Sequence, residues 1–206
     1  MLMEYIKENY KKGEPIFTND LLKVFNNKFT LSKELSSLVN KKELKKYEDG
    51  IYYLPKETVL GDVPLSSEDV AKYKYISRNG DCYGYYCGLY LANKLGITTQ
   101  VPLVIDIVTN KTNSSARMVT INNHKYYIKP TKTEITTKNV YVLQLLDLLK
   151  DLDKYKEYSN DYLSAKIRYY IELSKITKED VDMYISLFPI VVYKNIYDLR
   201  LYDVFA

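Results

Sequence analysis

The segment TNDLLKVFNNKFTLSKELSSLVNKKELKKYEDGIYYL, Thr18 to Leu54, decides how the first quarter of the chain is read. Thr18 can cap a short helix, with Asp20 in its first turn and Leu21, Leu22 and Phe25 on its inner face. Asn26 to Phe29 supplies a turn. Thr30 or Ser32 can cap the next helix, in which Leu31, Leu35, Leu38 and Val39 form one apolar stripe. At about 100° per residue the opposite face presents Lys33, Ser36, Ser37 and Asn40, with the acid Glu34 to one side. Glu43 to Tyr47 then alternates as a strand, Glu48-Asp49-Gly50 turns and Ile51 to Leu54 returns, Asp-Gly being a strong hairpin signal.

Upstream, Leu2, Tyr5 and Ile6 recur at helical spacing, Lys11-Lys12-Gly13 ends that segment and Pro15-Ile16-Phe17 is extended. Three helices followed by a hairpin is the order of a winged helix-turn-helix. Charge agrees with a polyanionic partner: Met1 to Tyr47 carries ten Lys against six acids, which accounts for the net +4 of all 206 residues. The candidate DNA contacts are Thr30, Ser32, Lys33, Ser36, Ser37 and Asn40 on the third helix, and Lys41, Lys42, Lys45 and Lys46 leading into the wing. Ser and Asn reach base edges, Lys reaches phosphate or guanine, and a bulky acid in their place would repel phosphates. Double-stranded DNA is therefore the expected partner. The competing reading is a winged helix used only for protein contacts, its lysines merely solvated.

Composition bounds the remainder. An apolar content of 46%, with 14% aromatic, suffices for a buried core. No run of eighteen apolar residues occurs, and Met1 to Tyr10 reads as an amphipathic segment instead of a signal sequence, so a cytoplasmic protein without a membrane partner is expected. Cys82 and Cys87 fit neither a redox pair nor a zinc pattern, and His124 alone completes no metal set. The abundance of Lys and of 23 Tyr reads as codon bias.

Pro55 to Pro64, with Gly61, breaks both periodicities and reads as a connector, giving a first domain of residues 1–60 and a second of 65–206. The second opens on Ser66-Ser67-Glu68-Asp69, a helix start expected to run to about Arg78. Cys82 to Gly88 is aromatic and Gly-rich and enters a helix ending at Gly96; it lacks P-loop and dinucleotide spacing, so its glycines serve close packing. Val101 to Thr109 suits a buried strand, Met118 to Ile128 a hairpin about Asn122-Asn123, and the stretches from Val140, Tyr162 and Val181 read as helices, with a last segment to Val204. The fold class is α+β, an N-terminal winged helix-turn-helix followed by a larger domain with a small sheet and C-terminal helices.

In the second domain, Gly84-Tyr-Tyr-Cys-Gly-Leu-Tyr-Leu-Ala-Asn-Lys-Leu-Gly-Ile-Thr-Thr-Gln-Val-Pro102 followed by Ile105-Asp-Ile-Val-Thr109, behind a Lys-bearing winged helix, resembles the AbiEi antitoxins of bacterial abortive-infection systems. The resemblance covers about residues 1 to 150. It implies a type IV toxin-antitoxin function in phage defence. The winged helix would repress its own operon at promoter repeats, and the larger domain would oppose a nucleotidyltransferase toxin encoded beside it, without requiring a stable complex.

The alternative is an enzyme with an unrecognised site. Asp106 sits in a strand as a restriction-type nuclease requires, yet the following strands offer no Glu-x-Lys, and Lys125 and Lys129 have no carboxylate placed for them by sequence. Asp106 then reads as an edge or hydrogen-bonded position. His124 falls at a hairpin turn, and Asp147, Asp151 and Asp153 read as a solvated helix face offset by Lys150 and Lys154. No catalytic residue, metal ligand or cofactor is assigned. The tyrosines of the last helices, among them Tyr169, Tyr193, Tyr197 and Tyr202, offer a candidate protein interface if their rings face outward.

Overall fold

The computed structural model describes residues 1–59, 61–112 and 115–205. The chain is mixed α and β, with its C-terminal third helical, and divides into two compact units, Met1–Tyr73 and Lys74–Ala206.

The first unit runs α1 (Leu2–Asn9), β1 (Pro15–Phe17), α2 (Thr18–Leu21), α3 (Lys28–Asn40), β2 (Lys45–Glu48) and β3 (Ile51–Tyr53). The three strands form an antiparallel sheet in the order β1-β3-β2. Leu2, Ile6, Ile16, Leu21, Leu31, Leu35, Leu38, Leu44 and Leu54 close one apolar core beneath them. Two helix starts differ from the sequence reading. Thr18 does not cap α2; its hydroxyl donates to the Gly50 carbonyl at 3.1 Å and its N–H to the same oxygen at 2.9 Å, fastening the hairpin tip to the helix. Neither Thr30 nor Ser32 caps α3. Asn27 does, its side chain accepting from the N–H groups of Phe29 and Thr30 at 3.1 and 3.0 Å, so the helix begins a turn earlier than expected.

The stretch after Leu54 is not an irregular connector. β4 (Lys56–Thr58) pairs with β5 (Gly61–Val63), and the Thr58 hydroxyl donates to the Gly61 carbonyl at 2.7 Å. Pro and Gly here bound short strands instead of breaking structure. α4 (Ser67–Tyr75) follows, opened by a reciprocal cap in which Ser66 Oγ accepts from the Asp69 N–H at 3.0 Å while the Asp69 carboxylate accepts from Ser66. It stops short of Arg78 because Ser77 and Arg78 turn back on Asp81 and Cys82 as β6 (Ser77–Arg78) and β7 (Asp81–Cys82), about left-handed Asn79 and Gly80.

The second unit is built on a four-stranded sheet in the order β10-β11-β9-β8: β8 (Gly84–Cys87), β9 (Val104–Thr109), β10 (Arg117–Ile121) and β11 (His124–Pro130). β9 starts at Val104, not Val101, and Leu103 just before it is exposed. β11 runs parallel to β9; the β10-β11 hairpin turns on left-handed Asn122 and Asn123. Gly84 has no room for a side chain, since a Cβ would collide with the carbonyl oxygens of Tyr75 and Val108. α5 (Gly88–Lys94) leaves β8, and α6 (Val140–Tyr155), α7 (Asn160–Ser174), α8 (Lys178–Tyr184) and α9 (Val191–Asp198) complete the helical layer. Leu145, Leu146, Leu148 and Leu149 of α6 are fully buried with Leu163, Ile167 and Val192. Among the described residues no helix is long and apolar enough to cross a membrane.

Candidate nucleic-acid interface

In α3 the residues Leu31, Leu35 and Leu38 point into the core, which leaves Thr30, Ser32, Lys33, Ser36, Ser37 and Asn40 exposed. The polar face read from the sequence is thus a continuous outer surface of one helix. One residue had been missed from it. Phe29, assigned to a turn, lies in the first turn of α3, 70% exposed, with the Lys33 ammonium 4.4 Å from its ring centroid. Continuing the same spacing one turn upstream would have found it, because Phe29, Lys33, Ser36 and Asn40 recur at helical intervals. Ser36 is partly spent: its hydroxyl donates to the Ser32 carbonyl at 2.9 Å, leaving only its acceptor capacity for a ligand.

Lys41 caps the end of α3, and Lys42 takes the left-handed conformation at φ +61°. The N–H groups of Lys42 and Glu43 then return to the carbonyls of Val39 and Leu38, both at 3.0 Å, and the chain drops Leu44 into the core. This turn sets both Lys41 and Lys42 on the surface directly after the helix. The two hairpin lysines differ from the sequence picture of free wing cations. Lys45 is ion-paired to Asp62 and Lys46 to Asp49, the latter at 2.5 Å. Hydrogen bonds to these carboxylates raise both ammonium pKa values above the ordinary range, and Lys46 holds the Asp49 carboxyl down. They remain cations, with part of their field cancelled.

The second unit holds a different charged group that the sequence had scattered. Asp106 is on the interior strand β9, not an edge, and Lys129 of the neighbouring β11 donates to it at 2.7 Å; Lys129 has the carboxylate partner its sequence context lacked. Gly88 at φ +64° makes room, since a Cβ there would stand 2.8 Å from Asp106 Oδ2. Asp147 is buried on α6 and ion-paired to Lys150, which also lies 3.4 Å from Asp151. It is not part of a solvated face. Cys87, register partner of Asp106, is buried between these charges, and burial together with Asp147 pushes its thiol well up. Both cysteines are free thiols, Cys82 half-buried. His124 is exposed, its Nδ1 3.0 Å from the Asn122 carbonyl. Among the described residues no three His, Cys, Asp or Glu side chains converge as metal ligands. Of the tyrosines, Tyr169, Tyr193, Tyr197 and Tyr202 are exposed, while Tyr170 is buried and donates to Gln144 at 2.6 Å.

No curated protein matches the sequence. A family model described as a family of unknown function, DUF6088, matches residues 1–179, which takes in α3, the hairpin and the whole sheet of the second unit, and the chain belongs to that family.

Proposed function

We propose that the first unit is a winged helix-turn-helix that binds double-stranded DNA, with α3 in the major groove and the β2-β3 hairpin against the backbone. The protein then acts as a repressor of its own operon and as an antitoxin against a nucleotidyltransferase toxin encoded in it. The observation that carries DNA binding is the outer face of α3: an unbroken exposed row of Phe29, Lys33, Ser37 and Asn40, followed by Lys41 and Lys42, with no acid in the row. Phe29 suits a thymine methyl, Asn40 an adenine edge, and the lysines phosphate or guanine. The antitoxin part rests on the resemblance of Gly84 to Thr109 and of the domain order to AbiEi proteins.

A mobility-shift titration on the DNA upstream of the gene tests the reading. With Lys45 and Lys46 already paired, Lys33, Lys41 and Lys42 remain among the candidate cations, so log K should fall with log salt at a slope of roughly −3. Asn40→Ala should cost about 1 to 3 kcal/mol on the operator and little on random DNA, whereas Lys41→Ala should weaken both alike. No shift at any salt, or a flat salt response, would return the module to protein contacts alone. Co-expression with the adjacent nucleotidyltransferase, read as rescue of growth, tests the antitoxin part separately.

A further inference from the structure

Independently of DNA binding, the Lys74–Ala206 unit contains a cleft of about 120 Å³ lined by β8, β9, β11 and the segment that follows it, by α6, and by Leu187 and Phe188. Its apolar lining is Val108, Leu143, Leu187 and Phe188; its charged lining is Lys129, Lys132 and Lys150, with Asp147 the one acid among the residues that line it. Lys132 lies against Leu187 and Phe188, its ammonium 5.9 Å from the Phe188 ring centroid.

We propose that this cleft binds a small organic anion, a carboxylate or phosphate group held by the ammoniums of Lys129, Lys132 and Lys150 with a ring-sized apolar body against Leu143 and Phe188.

Among the lining residues three ammoniums stand against one carboxylate, with Asp106 and Asp151 offsetting part of the charge on Lys129 and Lys150. The Asp147 side chain is 7% exposed and already accepts from Lys150, whereas the Lys129 and Lys150 side chains remain 30% and 31% exposed. Each ammonium has three N–H donors. Lys129 gives one to Asp106, Lys132 gives one to the Leu187 carbonyl at 3.0 Å, and Lys150 is shared between Asp147 and Asp151, so each retains capacity for an acceptor. Burial works against the charge on Lys129 and Lys150, but the adjacent carboxylates, Asp106 beside Lys129 and Asp147 with Asp151 beside Lys150, outweigh it and raise both pKa values, so these groups stay cationic at neutral pH. The one carboxylate a cationic ligand would find among the lining residues, Asp147, is already paired to Lys150.

Stability alone gives no reason for this arrangement. A buried ion pair on an apolar helix is on average no better than a well-packed hydrocarbon, and clusters of this kind facing a cavity characterise ligand sites. Size bounds the body: an engineered cavity of about 150 Å³ takes one benzene ring, so a cleft of about 120 Å³ takes in at most one ring, and the anionic group must stand at its open side, where Lys129 and Lys150 are part-exposed.

The test is a titration of the full chain, observed through the methyl NMR signals of Val108, Leu143 and Leu187, with benzoate, phenyl phosphate, inorganic phosphate, benzyl alcohol and benzylamine. Benzoate or phenyl phosphate, or both, should shift these methyls saturably; the pair separates a carboxylate site from a phosphate site. Inorganic phosphate should bind about tenfold more weakly for want of the apolar contact. Lys132→Gln, at an exposed position outside the buried pairs, should weaken the organic anions about fivefold, and should leave the spectrum of the free protein in place apart from Leu187 and Phe188, whose contact it changes. Equal binding of benzyl alcohol or benzylamine, shifts confined to other methyls, undiminished binding to the variant, or no saturation at millimolar probe would each overturn the proposal.

Discussion

Lys42 carries a backbone cost that the proposed DNA binding would explain. A left-handed φ of +61° is disfavoured for any residue with a Cβ, by roughly 1 to 2 kcal/mol, and glycine is the usual occupant of that position after a helix. Lys42→Gly should therefore raise thermal stability by about 0.5 to 1 kcal/mol, after allowing for the greater freedom of glycine in the unfolded chain. The same change should weaken DNA binding by removing a surface cation. Stability and affinity moving in opposite directions, measured by melting and by anisotropy, would mark Lys42 as a binding residue; parallel movement would mark it as a structural one. Phe29 makes the complementary case. Its ring is 70% exposed, so Phe29→Ala should scarcely change the melting temperature, while discrimination at one A·T pair of the operator should fall.

At the scale of elements, α3 was legible because three leucines at helical spacing force one face inward and so define the other. Its start was not, since Asn27, Thr30 and Ser32 are all good caps and only the folded chain shows which side chain meets free N–H groups. α6 was misread for a more instructive reason. Taking Asp147 and Asp151 as one solvated face assumed a helix with two faces, yet Val142, Leu143, Leu145, Leu146, Leu148 and Leu149 are all buried and leave no outward side at Asp147. The pairing of Asp106 with Lys129 was out of reach, because it depends on the parallel register of two strands that are neighbours in the sheet but separated by a third along the chain. Beyond α6, Glu157 accepts from the Thr99 N–H and the Thr98 hydroxyl, both at 2.7 Å, and from the Gln100 amide at 2.8 Å. These bonds, the Thr99 N–H foremost, lower its pKa from 4.5 to about 2. A depressed carboxyl pKa stabilises the fold above the unfolded value and ceases to do so as pH falls through the folded one. The segment at Thr98 to Gln100 should thus loosen between about pH 4.5 and 2, seen as faster amide exchange of Thr99, and Glu157→Gln should remove that pH dependence.

On the scale of the whole molecule, the separate cores matter most. The first draws on residues from Leu2 to Leu54, and the large one of the second unit on residues from Leu91 to Leu201, with no residue in common among the described residues. Composition and helical periodicity made both cores foreseeable as leucine stripes, but not their membership, since which stripes share a core depends on the folded path of the chain. Cores without shared residues should respond separately to damage. Leu35→Ala in the first and Leu148→Ala in the second each delete a fully buried side chain and should cost about 2 to 5 kcal/mol locally. Amide exchange read by mass spectrometry distinguishes local from global loss. Leu35→Ala should accelerate exchange across α1 to β3 and abolish DNA binding while leaving the second unit protected; Leu148→Ala should expose α6 and α7 while DNA binding persists. If either variant instead accelerated exchange equally throughout the chain, the two units would be one cooperative structure, and binding at α3 would be thermodynamically tied to whatever occupies the second unit.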